Sequence, residues 1–420
     1  MNARRAAALL AVTCLTALAP ASRGATVPTD PGFVVSTYAH TQGAATSLAF
    51  GKDTRDGKGH RLYVTEYMSD AVVAIDDTGG AGAPVGGTPE VFAEGFSSPL
   101  GVVAGSDGSV YVADVESSRE GPFGFRSYGR ITRLVDTDED GVADKRNVVL
   151  KDLPNGRHNT NGLAFGPGGK LYIANGNSTD DGVEGGEAEV NPWSGSVVKV
   201  NPNARNVSLA DLSPRKALVA TGWRNVYDLA FSPIDGSKLF VPMNGVDDAR
   251  QGSTGENPAD PDLENSDDLL FATDVTDKRR DDFGFPSCLY NEAKRGNLAP
   301  YTNPNPEVVK AFGACNKAKV PRPVASFGTH VSADGLAFQA TKKWGPDYRN
   351  DLFVAEWGSL FGPPTGHKVV RVELDSKGRK VTAVHDFLEL PAPIDVTFDS
   401  AGVMYVADFS GTIVRVDKVV

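Results

Sequence analysis

A single histidine stands in a polar loop that leads into an apolar strand. Residues 156–162 read Gly-Arg-His-Asn-Thr-Asn-Gly and run directly into Leu163-Ala164-Phe165. Loops beside strands carry the functional groups of rigid β scaffolds, and imidazole is the side chain best suited to accept a proton near neutral pH. His158 is therefore a candidate general base. The alternative for a lone histidine is that it only satisfies carbonyl groups of its own loop.

Four further loops also precede apolar triplets and carry polar or cationic side chains. They contain Ser97-Ser98-Pro99, Trp223-Arg224-Asn225, His330-Val331-Ser332-Ala333-Asp334 and Pro393-Ile394-Asp395. If the strands that follow pack around one axis, all these loops place histidine, arginine and amide side chains at one end of that axis. Such a convergence of polar groups predicts a ligand-binding or catalytic site.

An acidic turn has the spacing of a calcium loop. Asp136, Asp138 and Asp140 alternate and are followed by Gly141, which gives the pattern D-x-D-x-D-G. The turn has neither flanking helices nor the terminal glutamate of a helical calcium loop. The sequence therefore predicts a structural calcium site at the tip of a β-hairpin, with a solvated acidic turn as the alternative. A second acidic stretch, residues 247–268, is predicted to be mostly a solvated loop.

The elements that must position these loops repeat six times along the chain. Each repeat begins with an apolar triplet: Leu48-Ala49-Phe50, Gly101-Val102-Val103, Leu163-Ala164-Phe165, Leu229-Ala230-Phe231, Leu336-Ala337-Phe338 and Val396-Thr397-Phe398. After a turn comes a second apolar strand: Leu62-Tyr63-Val64, Val110-Tyr111-Val112, Leu171-Tyr172-Ile173, Leu239-Phe240-Val241, Leu352-Phe353-Val354 and Met404-Tyr405-Val406. Repeats of several antiparallel strands with glycine turns are typical of a β-propeller. The prediction is an all-β fold, a six-bladed β-propeller.

The two ends of the chain have separate predictions. Residues 1–24 combine a basic start with an apolar run too short to cross a bilayer, which predicts a signal peptide and a secreted or periplasmic protein. Residues 25–420 are then predicted to form a single propeller domain. Residues 32–38 precede the first triplet, and we expect them to pair with the last blade and close the ring.

Two cysteines remain after the predicted signal peptide. Cys288 and Cys315 both lie in a Gly/Pro/Asn-rich excursion, residues 283–323, in the longest interval between triplets. An exported compartment permits a disulfide, so we expect this pair to staple the excursion.

Charge and missing motifs exclude several function classes. The formal net charge is −11, which disfavours nucleic acid and anionic membranes as partners because both require basic patches. No later segment is long and apolar enough to predict a membrane span. The sequence has no phosphate-binding glycine loop between a strand and a helix and no Gly-x-Ser-x-Gly elbow.

Over nearly the whole mature part, from about residue 32 to residue 416, the chain resembles the soluble pyrroloquinoline-quinone-dependent sugar dehydrogenases, the glucose/sorbosone dehydrogenase family. The residues that carry the resemblance form four groups: His158 with Leu163 and Gly166-Pro167; Gly222-Trp223-Arg224-Asn225; Asn265-Ser266-Asp267-Asp268 with Phe283-Gly284-Phe285-Pro286; and Gly358-Ser359 with Gly366-His367-Lys368-Val369-Val370. Members of that family are exported six-bladed propellers.

The resemblance implies a role for each matching residue. His158 is implied as the base that takes a sugar hydroxyl proton while hydride passes to the quinone. Arg224 and Asn225 are implied to bind the cofactor, with Lys368 as a further cationic contact. The backbone carbonyls of Gly245 and Val246 are implied to bind a calcium ion that polarises the quinone.

Three departures from the family pattern bear on the substrate. Arg157 stands where glucose-oxidising members carry Asp, and it is assigned to the cofactor site. Ser178 and the Ser98-Pro99 pair stand where those members carry glutamine. The resemblance therefore implies a sorbosone-like sugar aldehyde, or another polyol or aldose, rather than glucose, with the electron acceptor undefined.

Two other functions compete with the dehydrogenase. One is a non-catalytic, calcium-stabilised binding module for glycans or proteins. The other is a propeller lactonase, which needs calcium held by carboxylates and amides at the centre of the channel. The convergence of His158, Arg224 and Asn225 favours the dehydrogenase.

Overall fold

Six antiparallel sheets form a ring of six blades, as the repeats predict. The computed structural model describes residues 32–52, 60–78, 85–121, 124–179, 182–184, 187–188, 191–246, 267–277, 279–290, 300–302, 305–316, 319–359 and 364–419. The predicted signal peptide lies outside them, as do residues 247–266 and therefore most of the second acidic stretch. No helix in the described part of the chain is long and apolar enough to cross a membrane.

The strands follow one another from the centre of the ring outwards in each of the first two blades. The first strand, β1 (Phe33–His40), precedes them. Blade 1 comprises β2 (Ala45–Lys52), β3 (His60–Glu66), β4 (Ala71–Ile75) and β5 (Glu90–Glu94). Blade 2 comprises β6 (Gly101–Ala104), β7 (Val110–Gly121), β8 (Gly124–Val135) and β9 (Lys145–Pro154).

Blades 3 and 4 exchange short strands with their neighbours. The next elements in chain order are β10 (Thr160–Gly166), β11 (Lys170–Asn175), the hairpin β12 (Val183–Glu184) and β13 (Glu187–Ala188), β14 (Ser196–Val200), β15 (Val207–Ser208), α1 (Pro214–Ala217) and β16 (Leu218–Thr221). Blade 3 contains β10, β11, β14 and β16, whereas β15 pairs in parallel with β9 of blade 2.

Blade 4 contains the disulfide-bonded excursion. Its strands are β17 (Asn225–Val226), β18 (Ala230–Phe231), β19 (Lys238–Asn244), β20 (Asp267–Asp274) and β24 (Ala325–Thr329). Between β20 and β24 lie β21 (Asp281–Asp282), the hairpin β22 (Cys288–Tyr290) and β23 (Pro300–Thr302), and α2 (Pro306–Phe312). Cys288 and Cys315 form the predicted disulfide, and β21 pairs with β16 of blade 3.

The last two blades complete the ring. Blade 5 comprises β25 (Ala333–Phe338), β26 (Leu352–Glu356), β27 (Lys368–Leu374) and β28 (Val381–Glu389), and blade 6 comprises β29 (Pro393–Phe398), β30 (Met404–Asp408) and β31 (Thr412–Lys418). β1 pairs with β31 as the outermost strand of blade 6, from Phe33 opposite Lys418 to His40 opposite Thr412. The predicted closure of the ring is confirmed.

The repeated Leu-Tyr-Val motif follows from the alternation of side chains along a strand. In each second strand, the aliphatic residue packs against the preceding blade and the aromatic residue against the following blade, so that six apolar clusters fill the six spaces between blades. In five blades the aromatic ring meets the Phe that ends the next triplet, edge to face, as in Tyr172–Phe231 with centroids 4.9 Å apart. Tyr63 of blade 1 meets Phe92 of its own blade instead. Such pairs contribute about 0.5–1.5 kcal/mol beyond their burial.

Candidate active site

The loops that lead into the innermost strands meet at one end of the central channel, which we call the mouth. The Asn177 N–H of blade 3 donates to the Arg224 carbonyl of blade 4 at 2.9 Å. The Asn244 side-chain amide of blade 4 donates to the Ala333 carbonyl of blade 5 at 3.0 Å. The structure therefore brings together the leading loops of blades 3, 4 and 5, as expected from the sequence.

His158 is half-buried at the mouth and Asn177 holds its ring. Its Nδ1 lies 2.6 Å from Asn177 Oδ1, and its backbone N–H donates to the Asn177 carbonyl at 3.0 Å. The Asn177 Nδ2 donates to the Thr179 carbonyl, which fixes the amide with its oxygen towards the imidazole. An amide oxygen only accepts hydrogen bonds, so the proton resides on Nδ1 and the lone pair on Nε2. His158 thus has the tautomer of a general base.

Gly176 allows this arrangement because no side chain fits at its position. A Cβ at residue 176 would lie 2.5 Å from His158 Cβ and 3.1 Å from Asn225 Oδ1. Contacts below 3.0 Å require a shift of one of the atoms. The glycine therefore permits the close approach of His158 and Asn225 across the boundary of blades 3 and 4.

Arg224 binds the backbone that was expected to hold calcium. Its side chain is 1 % exposed, and its Nη1 donates to the Gly245 carbonyl at 2.6 Å. The Gly245 N–H in turn donates to Asp268 Oδ1 at 2.5 Å, while Asp268 Oδ2 accepts the Ser332 N–H at 2.6 Å. This chain of contacts joins blades 4 and 5 at the mouth.

Asp268 is the buried carboxylate at the centre of that chain. Burial raises the pKa of Asp268 to about 6, although the N–H groups of Gly245 and Ser332 and the positive charges of His330 and Arg224 act in the opposite direction. The group is therefore mostly ionised at neutral pH. It supplies the negative charge that balances the buried Arg224 guanidinium.

The predicted calcium site at Gly245 does not fit this arrangement. A calcium ion at its usual distance of about 2.4 Å from the Gly245 oxygen would lie at most about 5 Å from Arg224 Nη1. There, bare +2 and +1 charges would repel by roughly 7 kcal/mol at an effective dielectric constant of about 20, and Asp268, which already balances Arg224, lowers this repulsion only in part. The Gly245 carbonyl oxygen already accepts a hydrogen bond from Arg224. Val246, the other predicted ligand, is the last described residue before the gap at 247.

Asn225 belongs to a chain of amides that we call the amide belt. Its Oδ1 accepts from Asn161 Nδ2 at 3.2 Å, and its Nδ2 donates to Asn244 Oδ1. The Asn225 side chain is buried, and the belt continues from Asn244 to blade 5. The predicted cofactor contact of Asn225 therefore competes with contacts between blades.

The other two predicted cofactor residues lie nearer the surface. Arg157 is exposed beside His158. On blade 5, Lys368 Nζ lies 2.6 Å from Asp386 Oδ1 and 3.9 Å from Glu356 Oε2. Burial raises the pKa of Glu356 to about 8, against the attraction of Lys368. The long contact to Lys368 does not offset burial, so at pH 7 Glu356 is mostly protonated and Lys368 is mainly paired with Asp386.

An aromatic row lies across the mouth from these polar groups. Trp357, Phe409 and Tyr67 directly follow the second strands of blades 5, 6 and 1. Their ring centroids are 5.9 Å apart between Trp357 and Phe409 and 6.5 Å apart between Tyr67 and Phe409. All three side chains are half-buried. The mouth thus has a polar side on blades 3 and 4 and an aromatic side on blades 5, 6 and 1.

Tyr227 separates the mouth from the far half of the channel. Its hydroxyl crosses from blade 4 to donate to the Thr46 carbonyl of blade 1 at 3.2 Å. Towards the far end, the innermost strands line a cavity of about 240 Å³ that includes Asp228 and Asp395. Asp228 accepts the Leu336 N–H at 3.1 Å and Asp395 the Leu48 N–H at 2.7 Å, so both carboxylates bridge neighbouring blades.

Comparisons with known proteins agree with this fold. The model of a domain of unknown function, DUF7133, matches residues 30–215, and the TrAA12-like model matches residues 135–418, about two thirds of the chain. The chain belongs to the TrAA12-like family.

Solved structures similar to this TrAA12-like chain cover almost all of it. A calcium structure of the Trichoderma reesei Carbohydrate-Active Enzymes Family AA12 protein has a TM-score of 0.71 at 17% identity, over 96% of this chain and 98% of that one. The holo pyranose dehydrogenase PQQ domain of Coprinopsis cinerea has a TM-score of 0.70 at 16% identity, over 95% and 98%. The soluble aldose sugar dehydrogenase of Escherichia coli in its apo form has a TM-score of 0.61 at 19% identity, over 92% and 99%.

These neighbours confirm the resemblance to pyrroloquinoline-quinone-dependent sugar dehydrogenases, while the sorbosone-like branch stays a prediction. A curated relative, an uncharacterized protein of Borreliella burgdorferi, is 27% identical over 244 residues. The match covers 54% of this chain and 56% of the relative. The TrAA12-like chain therefore spans about half the length of that relative.

The TrAA12-like match begins just before the acidic hairpin, residues 136–144. Here the structure gathers a different set of carboxylates from the predicted one: oxygen atoms of Asp136, Asp138 and Asp144 lie within 4.8 Å of one another. Asp140 is not part of this set, and its Oδ1 accepts the Val142 N–H at 2.8 Å. The three clustered carboxylates are the better calcium ligands, because their oxygen atoms lie close enough together to share one ion and Asp140 is outside this group.

The hairpin also contacts the neighbouring blade. Arg61 of blade 1 donates from Nη1 to the Gly141 carbonyl at 3.3 Å, and the Ala143 N–H donates to the Phe92 carbonyl at 2.9 Å. An ion bound at the tip would therefore stiffen the contact between blades 1 and 2, which fits the predicted structural role.

Two residues at the mouth, Asn177 and Glu356, escaped the sequence analysis, which named Asp268 only within a family motif and gave it no role. Asn177, Asp268 and Glu356 each act across a gap between loops or strands rather than within a motif. A weak signal existed for one of them: Glu356 occupies the last position of a second strand, where four other blades carry Glu66, Asn175, Asn244 and Asp408, and Asp114 lies inside the longer second strand of blade 2, two residues after its apolar triplet as Glu356 does. All six of these side chains are buried.

Proposed function

We propose that this protein is an exported oxidoreductase that oxidises a sugar-derived aldehyde or a polyol with pyrroloquinoline quinone bound at the mouth. The observation that carries the proposal is the geometry of His158. Its Nδ1 is held by Asn177 at 2.6 Å, which leaves Nε2 as a proton acceptor in a loop beside Arg224. TrAA12-like membership and the named activities of the structural neighbours support the choice of cofactor.

The residues at the mouth fit an anionic, planar cofactor. Arg157 of blade 3, with His330 and Lys368 of blade 5, provides cationic or hydrogen-bonding groups around the mouth, and carboxylates on a ligand pair well with such donors. The aromatic row provides flat apolar surface on the opposite side, and aromatic rings stack favourably on planar ligands. When bound, the quinone supplies the acceptor for two electrons and a proton, in the form of hydride.

The chain's own residues supply the proton transfer and the orientation. The C–H bond of the substrate carbon breaks with its electron pair, and the hydroxyl proton passes to His158 Nε2. Asn177 keeps the ring in the required tautomer and accepts a hydrogen bond from the Nδ1–H of the imidazolium that forms. General-base catalysis of this kind contributes about 10²–10⁴-fold.

The substrate proposal rests on the residues next to His158. Arg157 replaces the carboxylate of glucose-oxidising relatives by a cation, and its side chain is exposed at the mouth. An aldehyde hydrate or a polyol with an acidic substituent suits a cationic rim better than a neutral aldohexose does. The Cys288–Cys315 disulfide is compatible with the proposed export, because disulfides persist in oxidising compartments.

We also propose a structural calcium ion at the acidic hairpin, held by Asp136, Asp138 and Asp144. Oxygen-rich sites at hairpin tips suit this cation. The ion would serve the stability of blades 1 and 2 and take no part in the chemistry, since the hairpin lies outside the mouth.

The lactonase reading needs channel oxygens that are available to calcium. In the described part of the channel, Asp228 and Asp395 accept backbone N–H groups, and the amide oxygens of Asn225 and Asn244 accept from neighbouring amides. These oxygens already have donors, so the lactonase has little support.

The second candidate is a non-catalytic binding module, favoured by the closure of the channel at Tyr227.

One experiment separates the dehydrogenase from the binding module. The purified protein is titrated with pyrroloquinoline quinone and then given a panel of aldoses, polyols and sugar aldehydes with an artificial electron acceptor. We expect stoichiometric binding and substrate-dependent reduction. We expect His158→Ala to lose the reduction, while His40→Ala, a change on the outer strand of blade 6, keeps it. Absence of quinone binding under all conditions would leave the binding module.

A further inference from the structure

The atom that was expected to ligate calcium at the mouth already binds a positive charge. Arg224 Nη1 lies 2.6 Å from the Gly245 carbonyl oxygen, a normal distance for a charge-assisted hydrogen bond. The side chain reaches this oxygen from within the same blade and is 1 % exposed. The guanidinium is thus part of the wall of the mouth rather than a mobile surface group.

The surroundings hold the guanidinium in this place. Asp268 fixes the same peptide unit from its other side by accepting the Gly245 N–H at 2.5 Å. Its second oxygen accepts the Ser332 N–H of blade 5 at 2.6 Å, so the carboxylate is anchored to two blades. A buried cation with a fixed carboxylate counter-charge is stable, whereas removal of either partner leaves an uncompensated charge.

The carbonyl oxygen of Gly245 cannot serve two neighbouring cations without strong repulsion. A guanidinium and a calcium ion on one oxygen would lie closer than the Debye length of physiological solution, so salt does not screen them from each other. The arginine belongs to the fold and is always charged. Arg224 therefore occupies the Gly245 oxygen in preference to a calcium ion, which can dissociate.

From these contacts we infer that Arg224 supplies the positive charge at the mouth that calcium was expected to supply, and that the quinone binds to this chain without calcium. The inference rests on the proposed function. A fixed guanidinium within the wall stabilises negative charge on quinone or carboxylate oxygens at the mouth through space, without direct contact. It needs no metal to be recruited first.

The first test compares the affinity for pyrroloquinoline quinone in excess calcium and in excess EDTA, followed by the absorbance of the cofactor. We expect the two dissociation constants to agree within about twofold, because no calcium joins the site. The same comparison on the Asp136→Asn/Asp138→Asn variant removes the effect of calcium on the hairpin. Thermal melting of both proteins in each buffer confirms that the folded protein is compared.

The second test removes the guanidinium. In Arg224→Ala, the Gly245 oxygen loses its cation and becomes open to calcium. We expect the affinity in EDTA to fall about tenfold or more, because a nearby positive charge is lost, and calcium to restore part of it. If calcium strengthens quinone binding in the variant but not in the parent, Arg224 supplies in the parent the charge that calcium supplies in the variant.

The outcomes distinguish this inference from the proposed function. Binding to the parent protein in calcium but not in EDTA overturns the inference and leaves the quinone-dependent function intact. Binding in neither buffer overturns both. If Arg224→Ala does not fold, the comparison of buffers on the parent protein decides the matter alone, because it requires no substitution at this position.

Discussion

His158 depends on a neighbouring loop for its orientation. The amide of Asn177 holds Nδ1, and a second hydrogen bond from the same amide to Thr179 prevents its rotation. The position of the lone pair on Nε2 is thus set by a residue nineteen positions away. A histidine without this partner would sample both tautomers and several ring orientations.

Asn177→Ala tests this orientation. We expect kcat to fall by about one to two orders of magnitude, less than loss of the base itself, which costs about 10²–10⁴-fold. Quinone affinity should stay unchanged, because Asn177 holds the base rather than the cofactor. Asn177→Asp is the matched comparison, since it keeps an acceptor oxygen for Nδ1 but loses the donor to Thr179, and it should retain more activity than Asn177→Ala. Equal losses in both variants would contradict an orienting role.

Glu356 connects stability to pH. Burial raises the pKa of Glu356 from an ordinary value of 4.5 to about 8, with Asp268 and Asp386 adding to the shift and Lys368 opposing it. Between these values the folded protein holds a proton that the unfolded chain has lost. The free energy of unfolding therefore falls as pH rises through this window, by up to about 1.4 kcal/mol per pH unit.

In Glu356→Gln this loss should disappear, so that the variant gains stability relative to the parent at alkaline pH. Urea denaturation at about pH 6 and about pH 8.5 measures the difference. Asp268 and Asp395, whose pKa values burial raises to about 6 and about 7, act in the same direction and remain in the variant. Glu94→Gln, an exposed change, serves as the control. An unchanged slope in Glu356→Gln would mean that Glu356 is ionised in the folded protein.

At the scale of elements, the acidic hairpin combines a turn with a clamp. Asp136, Asp138 and Asp144 converge at its tip, and Arg61 and Phe92 of blade 1 bind its backbone. Blade 2 also ends its triplet in Val103, where the other five blades have Phe. The clamp therefore lies at the one boundary whose triplet offers no aromatic ring.

Calcium should stabilise the protein through this hairpin. A concentration of about 100 times the Kd adds about 2.7 kcal/mol to the free energy of unfolding, which differential scanning calorimetry detects as a higher Tm. The gain should vanish in Asp136→Asn/Asp138→Asn and persist in Asp140→Asn, because Asp140 lies outside the group of carboxylates that would share the ion. If the calcium-dependent gain in Tm is instead lost in Asp140→Asn and kept in Asp136→Asn/Asp138→Asn, the set with Asp144 in place of Asp140 is wrong.

At the scale of the whole molecule, ring closure depends on the first strand. Phe33 of β1 is 6 % exposed and packs edge to face on Trp344, Tyr348 and Phe387, with centroids 4.8, 5.3 and 5.1 Å away. These partners lie in blade 5 or in the loop that follows β25. The N-terminal strand thus fastens blade 6 to blade 5.

Phe33→Ala should weaken this closure. Removal of a buried Phe costs about 3–5 kcal/mol, and we expect a loss of this size in the free energy of unfolding from urea denaturation. Val34→Ala provides the control because Val34 is 48 % exposed on the same strand. A cost for Phe33→Ala no larger than that of the control would show that the ring closes by backbone pairing alone.

The fold was predictable because the alternation of residues within each repeat determines which side chains pack against which neighbouring blade. Leu171 and Tyr172 adopt opposite faces by the geometry of a strand, and the six copies require a ring. The mouth was predictable only as a set of residue types. Arg224 could be assigned to it, but its contact with Gly245 depends on the approach of two loops and on a buried carboxylate, Asp268, more than twenty residues further on. Hydrogen bonds between distant segments leave no periodic trace in a sequence.

The pairing of β1 with β31 also fixes where the chain enters and leaves the propeller. Phe33 lies opposite Lys418, at the ends of the two strands that point away from the leading loops. A tag, a surface linker or an electron-carrying domain joined directly before Phe33 or after Lys418 is therefore attached on the face opposite the mouth. Immobilisation on an electrode at either of these positions would leave His158 and the aromatic row facing the solution.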